Sequence, residues 1–242
     1  MDERRKSEAL AFLQTLHAAL NDQLPAGRAM REDLAELIEV GKADSLYRHL
    51  CSPEHAFTRG IALPLVYENL TGTLGLSDKD ARQALLAEGW ANFKSISSNT
   101  PARKVSHPFD KALGSNAQAI YAKWTRKTSR WPLTQSCPDF ALRAPSPHKI
   151  VFEAKYFSGG SARQAETELV SALYEAFFYR ALPRVEEDKA RGWDYDYACL
   201  LAFDASEDGV FKNAWDALDV DVREGFWRGA NVYVMVLRGA KA

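Results

Sequence analysis

Two acids and a lysine stand where a buried strand would carry apolar side chains. In "CPDFALRAPSPHKIVFEAKYFSGG", residues 137–160, Asp139 opens the run "DFALRA", and Glu153 and Lys155 sit inside "KIVFEAKYF". Side chains alternate across a strand, so Glu153 and Lys155 project on one side with Val151, while Phe152, Ala154 and Tyr156 face the other way. If the two runs pair, Asp139 comes close to Glu153. Two carboxylates at that range repel each other. A divalent cation removes the repulsion, and oxygen ligands suit Mg²⁺, which needs one or two carboxylates plus substrate phosphate. An ammonium beside such a site can hold an attacking water and offset charge on a pentavalent phosphate. The plainer alternative is a solvent-facing Glu153–Lys155 ion pair on an edge strand, with Asp139 an ordinary turn residue after proline.

The elements that must position these residues show in the periodicity. Leu10, Leu13, Leu16 and Leu20 recur at helical spacing over residues 4–23, and "LPAG" breaks that helix. A second helix is expected over 28–50. A third begins at "CSPEHAF", with Pro53 in its first turn, and extends to about Leu70 with a kink at Pro64. Ser77 caps a fourth, "DKDARQALLAEGWANFKSI". The first hundred residues therefore read as helical. From "DFALRA" onward the period changes. Two strands joined by the turn-rich "PSPH" lead through "SGGS" into a long helix from Ser161 to about Ala181. "DYACLLAFDAS" is a buried strand, "GVFKNAWDAL" a helix and "NVYVMVLRG" a last strand. That alternation predicts an α/β layered domain with a mixed sheet flanked by helices, and a helical N-terminal part. The division is expected at 1–97, a helical region packed on the core, and 98–242, the core itself.

Composition narrows the function classes. The chain has 242 residues, a formal net charge of -1 and 46% hydrophobic residues, enough for a substantial core. The basic charge is local: Pro101 to Trp131 holds seven Lys/Arg and one acid, Asp110. A local basic segment in a neutral protein can still meet phosphate. Three cysteines without a framework spacing point to reduced thiols and a cytoplasmic setting. No signal peptide or membrane span is legible. His49, Cys51 and His55 lack a clear fourth zinc ligand, and there is no phosphate-binding glycine loop of the ATPase type.

Pro138-Asp139, thirteen residues, then Glu153-Ala154-Lys155 resembles the PD-(D/E)XK nuclease superfamily, whose fold is restriction-endonuclease-like. The resemblance covers roughly residues 85–205. It implies that Asp139 and Glu153 ligate metal, that the Ala154 backbone carbonyl adds a ligand, and that Lys155 acts on the nucleophilic water. Many members add an acid from an upstream helix. Glu68, on a largely apolar helix, is the first candidate for that position and Glu88 the second, since "SNAQAIYAKW" nearest the motif holds no acid. The cofactor implied is Mg²⁺, for which Mn²⁺ can substitute.

The expected activity is that of a DNA endonuclease of the type II restriction kind. It would hydrolyse double-stranded DNA to 5′-phosphates, commonly as a homodimer, beside a cognate DNA methyltransferase acting on the same site. The alternatives are a non-specific or activator-controlled defence or repair nuclease, and a non-catalytic DNA-binding protein of the same fold. Lys123, Trp124, Arg126, Lys127 and Arg130 interleave basic and aromatic side chains just before the motif, which suits a DNA backbone. Arg163 and Gln164 open the helix after "SGGS", where a glycine-preceded N-terminus can meet a phosphate. That connection is also what any tight strand-to-helix turn looks like.

Overall fold

The computed structural model describes residues 3–44, 50–87, 138–181, 183–186, 189–193 and 195–240. Helix α1 (Glu3–Gln23) buries Ala9, Phe12, Leu13, Leu16 and Leu20, the stripe that its periodicity predicts. Helix α2 (Gly27–Ala43) buries Met30 and Leu34 and ends in extended backbone at Asp44, short of the expected Leu50. Helix α3 (Pro53–His55) starts where Ser52 Oγ accepts a hydrogen bond from the His55 amide, with Pro53 in the first turn.

Before Pro64 the helix does not run on in α-type turns. Instead the chain winds in π-type turns over Ala56–Ala62 before α4 (Leu63–Thr71), and the Leu63 amide donates to Thr58 five residues back. Pro64 has no amide to give the carbonyl four residues before it, and its ring would collide there. Widening the preceding turn relieves both problems.

Ser77 caps α5 (Asp78–Ala84) as expected, its Oγ accepting from the Asp80 amide. The helix then stops early. Leu85–Ala87 form strand β1, antiparallel to β2 (Phe140–Leu142), with Leu85 opposite Leu142. The edge of β2 offers ladder hydrogen bonds and a buried place for Leu85, which outweighs helix propensity.

Strand β3 (Ile150–Phe157) pairs antiparallel with β2, and helix α6 (Ala162–Ala181) follows, close to the bounds read from sequence. A hairpin of β4 (Pro183–Glu186) and β5 (Lys189–Trp193), not anticipated, comes next. Strand β6 (Tyr197–Asp204) runs parallel to β3. Helices α7 (Val210–Asp216) and α8 (Val220–Gly225) and a π-type turn at Phe226–Ala230 lead to β7 (Val232–Leu237), parallel to β6. The mixed sheet has the order β1-β2-β3-β6-β7. No described helix is long and apolar enough to cross a membrane.

Both faces of the sheet are covered. On one, Phe140, Phe152, Ala154, Leu201 and Phe203 pack against α1, α2, α4 and the π-type segment. Phe140 and Phe152 stack there at 4.5 Å. On the other, Val151, Phe157, Leu200 and Ala202 meet Ala165, Leu169, Ala172, Leu173 and Ala176 of α6. Strand β6 is buried along its whole length, as a central strand between two helical layers must be. The N-terminal helices are thus one layer over the same sheet, and β1 extends that sheet. The expected boundary at 97/98 lies outside the described residues.

First and last elements are tied together. Asn21 Oδ1 accepts from the amides of Arg238 and Gly239, and the Ala240 amide donates to the Leu24 carbonyl. Gly239 has φ +77, and a Cβ there would lie 2.1 Å from the Pro25 carbonyl oxygen. His17 of α1 sits with Nδ1 3.2 Å from the Tyr233 hydroxyl and Nε2 3.3 Å from the Val236 carbonyl. The neutral ring that donates from Nε2 and accepts at Nδ1 satisfies both partners.

Burial pushes the His17 pKa below its ordinary 6.5, against the opposing pull of the Val236 carbonyl. The unfolded chain then takes up a proton first as pH falls, so stability present above 6.5 is lost as pH drops below it. The urea midpoint of His17→Phe is therefore expected to change less between pH 7 and pH 5 than that of the wild type. Equal changes in the two proteins would contradict the assignment.

Candidate active site

Strand β2 is three residues long and β3 eight, so β3 outruns its partner at the Glu153 end. The register that pairs Phe140 with Phe152 places Asp139, one residue before β2, opposite Glu153. There the ladder is replaced by a side chain: the Ala154 amide donates to Asp139 Oδ2 at 2.7 Å. A strand residue sends its N–H and C=O to the same edge. The Ala154 carbonyl therefore lies on the Asp139 edge as well.

Glu153 and Lys155 project with Val151 and Phe157 toward α6, as alternation requires. Lys155 Nζ donates to Glu153 Oε1 at 2.6 Å, lies 3.0 Å from Glu175 Oε2 and 3.8 Å from Glu54 Oε1. Glu175 comes from α6 and Glu54 from the first turn of α3. One ammonium is thus shared by carboxylates from a strand and two helices. Glu153 is 6% exposed and the Lys155 side chain 26%. A water-facing ion pair on an open edge does not fit those values.

Electrostatics mark the same place. Burial, the Asp139 carboxylate and Glu175 push the Glu153 pKa well above its ordinary value, against the pull of Lys155. For Lys155, burial works against the charge, but Glu153, Glu175 and Glu54 outweigh it and hold the amine protonated. Burial also raises the Glu168 carboxyl, with Lys155 pulling it down and Glu54 pushing it up. The cluster carries more acid than base, and its most buried acid resists ionising.

The other expected site residues divide. Glu68 is exposed on α4, where its carbonyl accepts from Thr71 and Gly72, and it has no ion pair with Lys155. Among the described residues, Glu54 is an upstream helical acid that comes within 3.8 Å of Lys155. Glu88 and the basic segment Lys123, Trp124, Arg126, Lys127 and Arg130 lie outside the described residues. Arg163 and Gln164 are exposed in the first turn of α6, whose cap is Ser161, its Oγ accepting from the Gln164 amide. Gly160 has φ +141, and the Gln164 side chain fills the space that a Cβ would need. Glu175 was missed from sequence, yet it lies seven residues after Glu168 and eleven after Gln164, on one helical stripe. Glu54 was read only as part of a helix start.

Among the described residues no group of three or more His, Cys, Asp or Glu is gathered as a metal cage. Asp139 is turned to the Ala154 amide and Glu153 to Lys155. The chain matches no protein-family model, no curated protein and no solved structure.

Lys155→Met would leave Glu153 buried beside Asp139 and Glu175 without its counter-charge. Removing one partner of a buried pair costs about 3–5 kcal/mol, and the part-exposed lysine places this case near the lower figure. The raised Glu153 pKa sets the sign. Its contribution is fully present below the ordinary carboxylate range and is lost as pH rises through the folded value. The deficit of Lys155→Met against wild type, read from urea unfolding, is expected to be larger at pH 8 than at pH 5. A deficit independent of pH would show that Lys155 does not offset buried carboxylate charge.

Proposed function

We propose that the chain is a Mg²⁺-dependent endonuclease that hydrolyses phosphodiester bonds in double-stranded DNA. The observation that carries the reading is the opposition of Asp139 and Glu153 across the frayed end of β2, with Lys155 on the Glu153 face. Strand, strand, helix, strand is also the order in which the resembled nucleases present their motif.

A resident cation fits the residues present. The donors are oxygens, Asp139 stands opposite Glu153 in the strand register, and Mg²⁺ asks for few protein ligands. Asp139 and Glu153 would hold it, with the Ala154 carbonyl on the same edge. When bound, it supplies Lewis-acid stabilisation of the phosphoryl group. Lys155, whose charge its carboxylate neighbours favour, serves as a hydrogen-bond donor and positive charge. It orients the attacking water and offsets charge on the phosphoryl oxygens. The water oxygen bonds to phosphorus and gives up a proton to solvent as the bond to the 3′-oxygen breaks, and that oxygen takes a proton from solvent, leaving a 5′-phosphate and a 3′-hydroxyl. Glu54 and Glu175 keep the amine protonated and in place. Cleavage at a defined sequence, as in a type II restriction enzyme, is the form proposed first, acting as a homodimer beside a cognate methyltransferase in the cytoplasm.

Digestion of unmethylated phage DNA, with and without Mg²⁺, tests the reading. Discrete fragments that require Mg²⁺ are expected, with Lys155→Ala and Asp139→Ala each slower by about 10²-fold or more. Asp139→Ala should also take up Mn²⁺ more weakly in calorimetry. A smear with the same requirements would keep the catalytic residues and replace restriction by non-specific cleavage. Full activity in Lys155→Ala, or no nucleic-acid cleavage at all, would overturn the proposal.

A further inference from the structure

Lys155 faces a conflict that Glu153 alone cannot resolve. Glu153 Oε1 is its nearest partner, at 2.6 Å, and Glu153 is also one of the two carboxylates that would hold a cation. A carboxylate whose negative charge is shared with a cation balances the ammonium less well, and a largely buried ammonium short of counter-charge is unstable. A carboxylate that does not travel with β3 can take over. Glu175 Oε2 is already 3.0 Å away, on a side chain that is itself buried. Its helix is anchored independently, by Ala165, Leu169, Ala172, Leu173 and Ala176 against the sheet. Glu54 stands farther off, at 3.8 Å, and is more exposed.

We propose that Glu175 is a positioning residue that holds Lys155 in place when Glu153 turns from the lysine to a bound divalent cation. Glu153 then has two states, one paired with lysine and one with the cation. Glu175 sets how freely it passes between them. Without Glu175, Lys155 competes for Glu153 and cation uptake falls. The inference rests on the cation-dependent reading of this site.

Mn²⁺ titration by calorimetry on the full chain without DNA, beside steady-state cleavage, tests it. The variants are Glu175→Gln, Glu175→Asp, Lys155→Ala and the double variant Lys155→Ala with Glu175→Gln. Glu175→Gln is expected to bind Mn²⁺ about tenfold more weakly and to lower kcat with the KM for DNA unchanged. Glu175→Asp, which keeps the charge, should recover part of both.

The decisive comparison is the gain in Mn²⁺ affinity from Lys155→Ala. It should be about fivefold larger in the Glu175→Gln background than in the wild type, because the two side chains are coupled through Glu153. Equal gains in the two backgrounds would mean a simple change of local charge and would overturn the inference, as would wild-type affinity in Glu175→Gln. Each variant's urea unfolding without metal shows whether it is folded, and Glu175→Asp carries the test if Glu175→Gln is not. Wild-type protein that takes up no Mn²⁺ would overturn this inference, and cleavage that still requires Mg²⁺ would leave the proposed function standing. Coupled Mn²⁺ binding without DNA cleavage would sink the nuclease reading alone and leave the role of Glu175 standing.

Discussion

The contact between Lys155 and Glu153 constrains everything built around it. A charged pair on a strand buried on both faces needs more than its own attraction, because desolvation takes back most of that gain. The chain answers by bringing further carboxylates to the same ammonium. Ala165, Ala172 and Ala176 are small, so α6 can lie close to the sheet and deliver Glu175. Helix α3 must reach the uncovered edge of β3 to deliver Glu54. Two helices thus meet at one lysine.

The shortness of β2 belongs to the same design. A fourth ladder residue at Asp139 would close the edge of β3 with backbone hydrogen bonds. Ending the ladder at Phe140 lets the Asp139 carboxylate accept from the Ala154 amide, which keeps that buried donor satisfied. An acid is thereby held opposite Glu153 at the cost of one strand residue. The stacked Phe140–Phe152 pair on the opposite face anchors the two strands just before they part.

Much of this was legible because it is local. Alternation in "KIVFEAKYF" put Glu153 and Lys155 on one face, and Ser77 and Ser161 announced the helices that they cap. Glycines at 159 and 160 marked the turn into α6, and both have φ in the region that favours glycine. What sequence missed depends on partners far along the chain. Leu85 has helical neighbours and becomes a strand because β2 is there to receive it. Glu54 looks like any acid in a first helical turn, and Glu175 like any acid on a helix. Only the folded sheet brings both to Lys155. Pro64 gave a rule for breaking a helix but no sign that wider winding could precede it.

The clamp between Asn21 and the amides of Arg238 and Gly239 joins residues 217 and 218 positions apart. Helix α1 therefore shares its lining with β7, the last strand of the sheet, through His17 as well as Asn21. During synthesis, α1 leaves the ribosome long before that strand exists. Its packing against α4 can form early in synthesis, whereas the Asn21 clamp must await residues 217 positions further along. Contacts this distant make folding slow, since loop closure precedes any reward from packing. Helix α1 is thus held from two sides, by a neighbour close in the chain and by one 217 residues away.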